Sequence, residues 1–129
     1  MTSVLTHVLC VDDDPDILEV AQISLELVGG LTVTGLDSGT RCLTEVASIR
    51  PDLILLDVMM PGMDGPATLT ALKADPVLSA IPVIFMTARV QEVEVEQYLA
   101  LGAVAVIPKP FDPMALADQI KGIWAGLER

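Results

Sequence analysis

The sequence predicts an α/β protein: a doubly wound sheet of five parallel strands, order 2-1-3-4-5, with five helices on its two faces. Three observations lead there. Apolar residues come in short bursts, each too brief for a helix. The stretches between them have helical length and carry helix-start and helix-stop residues. Reactive polar residues follow the bursts directly, as they must if parallel strands bring their carboxyl ends to one edge.

The first burst is "HVLCV", His7 to Val11. Asp14-Pro15 then offers a cap and a first-turn proline. Ile17, Val20, Ala21, Ser24, Leu27 and Val28 form an inward stripe opposite Asp16, Glu19, Gln22 and Glu26, and Gly29-Gly30 stops the helix. "LTVTGL" (Leu31 to Leu36) alternates with threonine and reads as an edge strand. Ser38 caps a second helix through Ile49, stopped by Pro51. "LILL" (Leu53 to Leu56) is continuously apolar, as a strand buried on both faces should be. A third helix runs from about Gly65 to Ala74, and "VIFM" (Val83 to Met86) follows. "EVEVE" (Glu92 to Glu96) has the period of a strand. Topology demands a helix there, because parallel strands need a crossover, so this is the least stable helix. "VAVI" (Val104 to Ile107) closes the sheet. Asp112-Pro113 opens a last helix that buries Leu116, Ile120, Ile123, Trp124 and Leu127.

Composition excludes several functions. The chain is 52% hydrophobic over 129 residues, yet no apolar run reaches the roughly 18 to 20 residues of a membrane span. Met1 to His7 has no signal-peptide pattern. The net charge is −11 and the seven Lys and Arg are dispersed, which disfavours nucleic-acid binding by this chain alone. Cys10 and Cys42 form no C-x-x-C and read as reduced structural thiols. His7 is the only histidine, so a catalytic triad or histidine metal site is poorly supported.

The chemistry gathers at the strand ends. Asp12 and Asp13 follow the first strand, Asp57 the third, Thr87 the fourth and Lys109 the fifth. Carboxylates about 4 Å apart repel by about 4 kcal/mol at an effective dielectric of about 20. A cation resolves this. Two or three aspartate oxygens plus waters suit Mg²⁺, and three carboxylates, one lysine and one Mg²⁺ sum to zero formal charge. A carboxylate beside Mg²⁺ can attack phosphorus to give an aspartyl phosphate, with lysine and metal neutralising the phosphoryl oxygens.

"VDDDP", "LLDVMMPGMDG", "MTA" and "KPF", in this order, resemble the receiver domain of two-component response regulators. The resemblance covers essentially the whole chain and implies one flavodoxin-like receiver domain over residues 1–129, located in the cytoplasm. It implies that Asp57 is the phosphoacceptor. Asp13 is then the direct Mg²⁺ ligand, Asp12 acts largely through water, and the Met59 backbone carbonyl completes the set. Thr87 bonds the phosphoryl group, Lys109 pairs with it, and the Lys109–Pro110 bond is expected to be cis. The donor is a sensor histidine kinase or phosphotransfer protein. Met59 and Arg89 modulate phosphate lifetime; apolar Met59 cannot orient a water, so a long-lived phosphate is expected. The sequence departs from the family at Val106, where an aromatic usually stands.

On the fourth helix, Val93, Gln97 and Leu101 share one face, and Val95 and Leu99 another near Val106: a candidate homodimer or output surface. Asp64 reads as turn chemistry, Asp37 and Asp52 as loop charges, Lys73 and Lys121 as solvated. Two alternatives stand. One is a Mg²⁺-dependent phosphohydrolase with an aspartyl nucleophile in Asp12-x-Asp14; Pro15 and the lack of room for a cap domain weigh against it. The other is a degenerate receiver that only binds.

Overall fold

The computed structural model describes residues 4–127; residues 1–3 and 128–129, the ends of the expected 1–129 domain, lie outside it. Five parallel strands pair in the order β2-β1-β3-β4-β5. They are β1 (His7–Val11), β2 (Thr32–Leu36), β3 (Leu53–Asp57), β4 (Val83–Thr87) and β5 (Ala105–Pro108). β3 and β4 are buried at every position, whereas both edges are partly open. "LTVTGL" is therefore an edge strand, as its alternation indicates.

Side-chain alternation splits the core in two. Val8, Cys10, Leu55, Ile84 and Met86 pack toward α1 (Pro15–Ile23) and α5 (Leu116–Ala125). Leu9, Val11, Ile54, Leu56 and Phe85 pack toward α2 (Gly39–Ile49), α3 (Gly65–Ala74) and α4 (Glu92–Leu101). Each fully buried Leu, Ile or Phe contributes roughly 1.5–3 kcal/mol. No described helix is long and apolar enough to cross a membrane.

The helices start where polar caps place them. Asp14 accepts from the backbone N–H groups of Asp16 (2.9 Å) and Ile17 (3.4 Å). Ser38 accepts from Arg41 N (3.1 Å), and Asp64 caps α3 by accepting from Ala67 N (2.9 Å). α4 is a helix despite its period-two sequence, closed by a capping box of Gln91 and Glu94 and by left-handed Gly102 (φ 116°).

Four expectations need correction. The first helix does not keep its stripe. Ser24–Val28 form a π-turn, with Gly29 N donating to Ser24 O at 3.3 Å, five residues back. The wider turn rotates the phase, so Leu25 is fully buried while Leu27 is 80% exposed and Val28 also faces out. Val20, one position off the inward line through Ile17, Ala21 and Ser24, is exposed too. α5 begins at Leu116, not at Pro113. The Asp112 carbonyl accepts from Ala115 N and Leu116 N, and its side chain from Met114 N, closing a separate turn first. Lys73 is half-buried and donates to Ser79 O (3.0 Å), whereas Lys121 is exposed as expected, its ammonium reaching Gly29 O (2.7 Å). Asp52 is no idle loop charge, since one oxygen accepts from Thr6 N, Thr6 Oγ1 and His7 N.

Both thiols are buried. Burial, then the charges of Asp12 and Glu26, push Cys10 up to about 12. Burial pushes Cys42 up to about 11.

Candidate functional site

Parallel register aligns the strand ends. Val11 pairs with Leu56, Asp57 with Met86 and Thr87 with Pro108, so the residues at and just after these positions meet at one edge. Asp12 N donates to Leu36 O (3.1 Å), and Lys109 N to Thr87 O (2.9 Å). These bonds fix where both side chains leave the sheet. Behind Asp57, Gly65 lies so close that a Cβ there would run into the Asp57 carbonyl and come within 2.8 Å of Val58 Cα. The approach of α3 to the end of β3 therefore requires glycine.

Lys109 Nζ donates to Asp12 Oδ2 and to Asp57 Oδ1, both at 2.8 Å. Asp12 and Asp57 are buried; Asp13 is exposed. Asp12 Oδ1 also accepts from Asp14 N (2.9 Å). Asp14 thus acts twice, holding Asp12 through its N–H and capping α1 through its carboxylate.

The charges feel this packing. Burial is the largest influence on Asp57 and pushes its pKa up. The Lys109 bond opposes, the Asp12 charge adds, and the Met59 N–H opposes weakly, leaving Asp57 above its ordinary value. For Lys109, burial alone would lower the pKa, but hydrogen bonds and charges from Asp12 and Asp57 outweigh it. The pair pulls its partners in opposite directions. Asp57 rises nonetheless because two influences oppose the lysine.

Asp12, Asp13, Asp57, Met59, Thr87 and Lys109 line one cleft of about 310 Å³, with Asp14, Ile17 and Ala88. Carboxylate oxygens of Asp12, Asp13 and Asp57 lie within 4.8 Å of one another. Three carboxylates and one ammonium leave two net negative charges on an all-oxygen donor set. That fits a hard divalent cation. Thr87 is buried, and its Oγ1 accepts from Arg89 N (3.0 Å).

Two of the expected residues stand apart. Arg89 lies outside the cleft, its guanidinium 3.9 Å from Glu94. Pro110, after a cis Lys109–Pro110 bond, lines an adjoining groove of about 390 Å³ with Asp16, Ile17, Val20, Ala88, Lys109 and Phe111. Sequence reasoning missed this groove. Its signal was Val20, an apolar residue at the margin of the stripe, beside Phe111 in "KPF". It also missed Asp14 as the residue that orients Asp12.

Comparison with known proteins agrees with the geometry. The sequence profile of the family described as "Response regulator receiver domain" matches residues 8–121. "DNA-binding response regulator MtrA" of Mycolicibacterium smegmatis is 37% identical over 121 residues, 94% of this chain and 51% of that protein. "Transcriptional regulatory protein CseB" of Streptomyces coelicolor is 38% identical over 118 residues, 92% of this chain and 49% of that protein. The chain thus spans about half the length of these curated relatives. Among solved structures, the chemotaxis response regulator CheY4 of Vibrio cholerae superposes with a TM-score of 0.86 at 26% identity, covering 93% of this chain and 99% of that one. The signal receiver domain of a histidine kinase from Syntrophus aciditrophicus gives 0.83 at 35% identity, covering 96% and 93%.

Proposed function

Because the chain belongs to the response regulator receiver domain family of two-component signalling, we propose that it is a single phosphoacceptor module switched at Asp57. The observation that carries this is Lys109, whose ammonium bonds both Asp12 and Asp57 at 2.8 Å in a cleft that also holds Asp13.

The donor is a phosphohistidine of a sensor histidine kinase or phosphotransfer protein. A carboxylate oxygen of Asp57 attacks the phosphorus of a phosphohistidine whose other ring nitrogen carries a proton; the P–N bond breaks, its electron pair stays on the ring nitrogen, and the ring leaves as neutral imidazole. Asp57 must be ionised to attack, and Lys109 opposes the burial that would protonate it. In the product, Lys109 pairs with one phosphoryl oxygen and Thr87 Oγ1 donates to another, giving up the Arg89 N–H it now accepts. Asp12, Asp13, Asp57 and the Met59 carbonyl would hold Mg²⁺. When bound, that ion neutralises phosphoryl charge as a Lewis acid. The chain promotes only its own phosphorylation and dephosphorylation.

Met59, 60% exposed and apolar, offers no group to orient a hydrolytic water, and Arg89 is paired with Glu94, so the phosphate is long-lived. The groove of Ile17, Val20 and Phe111 beside the cleft is where the donor docks. The face of α4 and β5 serves an output partner or a second copy. The module works in the cytoplasm and does not itself bind nucleic acid. The hydrolase reading loses ground because the Asp14 carboxylate is spent on capping α1.

Incubation with phosphoramidate and Mg²⁺, followed by intact mass, tests the proposal. Wild type should gain one phosphate and Asp57→Asn none. Uptake that survives Asp57→Asn but is lost in Asp12→Asn overturns it in favour of the hydrolase.

A further inference from the structure

α4 is attached to the body of the protein in an unusual way. Tyr98 is its one buried side chain, whereas Val93, Leu99 and Leu101 are exposed. The Tyr98 ring packs edge-on against Phe85 of β4, centroids 5.3 Å apart and planes at 73°. Such a pair contributes about 0.5–1.5 kcal/mol beyond its area. Phe85 and Thr87 are two apart on one strand, so their side chains leave on the same face. Directly across from Phe85 on β5 is Val106, which packs into the same cluster.

Two contacts between the α4 region and β4 lie on the Thr87 side of the strand. One is the loop from Thr87, whose hydroxyl accepts the Arg89 N–H just before the helix begins. The other is the Tyr98 ring seated on Phe85. A change of partner at the Thr87 hydroxyl would release the first of these and leave the ring on Phe85, alongside the contacts of α4 with α3 and β5.

Resting on the proposed phosphorylation of Asp57, we infer that Tyr98 is the positioning residue that couples Thr87 to α4: its ring, on Phe85 and beside small Val106, is the pivot about which α4 re-seats when Thr87 turns to a phosphoryl group. The residues that α4 exposes, Val93, Leu99 and Leu101, move with that pivot, so the state of the cleft is read on the outer face of the helix.

The chain contains one tyrosine, so 3-fluorotyrosine incorporation gives a single ¹⁹F resonance from Tyr98 in the intact protein. Phosphoramidate and Mg²⁺ are added, and intact mass reports phosphate uptake in the same sample. Phosphate uptake with a displaced ring resonance is the expected result. Uptake with an unmoved resonance overturns the coupling and leaves the phosphoacceptor reading intact. No uptake overturns both. The companion variants are Tyr98→Leu and Tyr98→Phe, read by amide hydrogen exchange. Phosphorylation should change exchange in α4 at least about fivefold in wild type and Tyr98→Phe. In Tyr98→Leu, phosphate should be taken up as in wild type and the α4 response lost. An undiminished response in Tyr98→Leu also overturns the inference.

Discussion

Replacing Lys109 with methionine keeps the length of the stem and deletes the charge. Two buried carboxylates, Asp12 and Asp57, then lose their shared partner. Removing one member of a buried ion pair costs about 3–5 kcal/mol, and the 18% exposure of the lysine side chain argues for about 3. The repulsion left behind gives a similar figure: two charges within 4.8 Å of each other oppose by at least about 3 kcal/mol at an effective dielectric of about 20. The pH dependence has a definite sign. Asp57 is already raised by burial, and without Lys109 it rises further. A carboxylate whose folded pKa exceeds its unfolded value of about 3.9 binds more protons when folded. The penalty is therefore complete above the raised folded pKa and vanishes below the unfolded one. Mg²⁺ should restore part of the loss, by about 2.7 kcal/mol at a concentration one hundred times its dissociation constant. Urea unfolding, followed by fluorescence of the single tryptophan, Trp124, measures all three effects. A loss below about 1 kcal/mol at pH 7, or one as large at pH 3 as at pH 7, would refute the reasoning.

Two further predictions concern the scaffold. Burial of Asp52 would raise its pKa, but hydrogen bonds from Thr6 and His7 outweigh it and hold the carboxylate below its ordinary value. Its contribution is present above the unfolded pKa of about 3.9 and is lost as pH falls through the folded one. Asp52→Asn should cost about 1 kcal/mol at pH 7, after solvent screening, and nothing measurable below the folded pKa, by urea unfolding at both pH values. The π-turn predicts a contrast between neighbours: Leu25→Ala should cost about 2–5 kcal/mol and Leu27→Ala less than about 0.5, in thermal or urea melts. Equal losses would mean that the helix keeps its ordinary phase.

The legible part of this protein is the part governed by short-range rules. Continuous apolar runs such as "LILL" have one comfortable home, a strand covered on both faces. Caps at Asp14, Ser38 and Asp64 announce themselves by residue type. Once the strands are parallel, their order brings Asp12, Asp57, Thr87 and Lys109 to one edge without further information. The π-turn was hidden because nothing in "SLELV" distinguishes a five-residue turn from an ordinary one; the phase is chosen by packing against α5, where Gly29 meets Ala117. The direction of the Arg89 side chain was hidden for a related reason. Its place in sequence points it at the cleft, but the guanidinium lies 3.9 Å from Glu94, in the first turn of α4. The hydrogen bonds of Lys73 and Lys121 were hidden because a carbonyl partner such as Gly29 O leaves no trace in composition.

The two deep thiols have a practical consequence. With Cys10 pushed up to about 12 and Cys42 to about 11, both are protonated at neutral pH, and both are shielded from solvent. A maleimide or iodoacetamide in solution meets a folded chain with almost no nucleophilic sulfur. A cysteine placed at the outward Leu27 would be the one thiol open to such a reagent among the described residues, so a dye or spin label could be attached there without first removing the native pair.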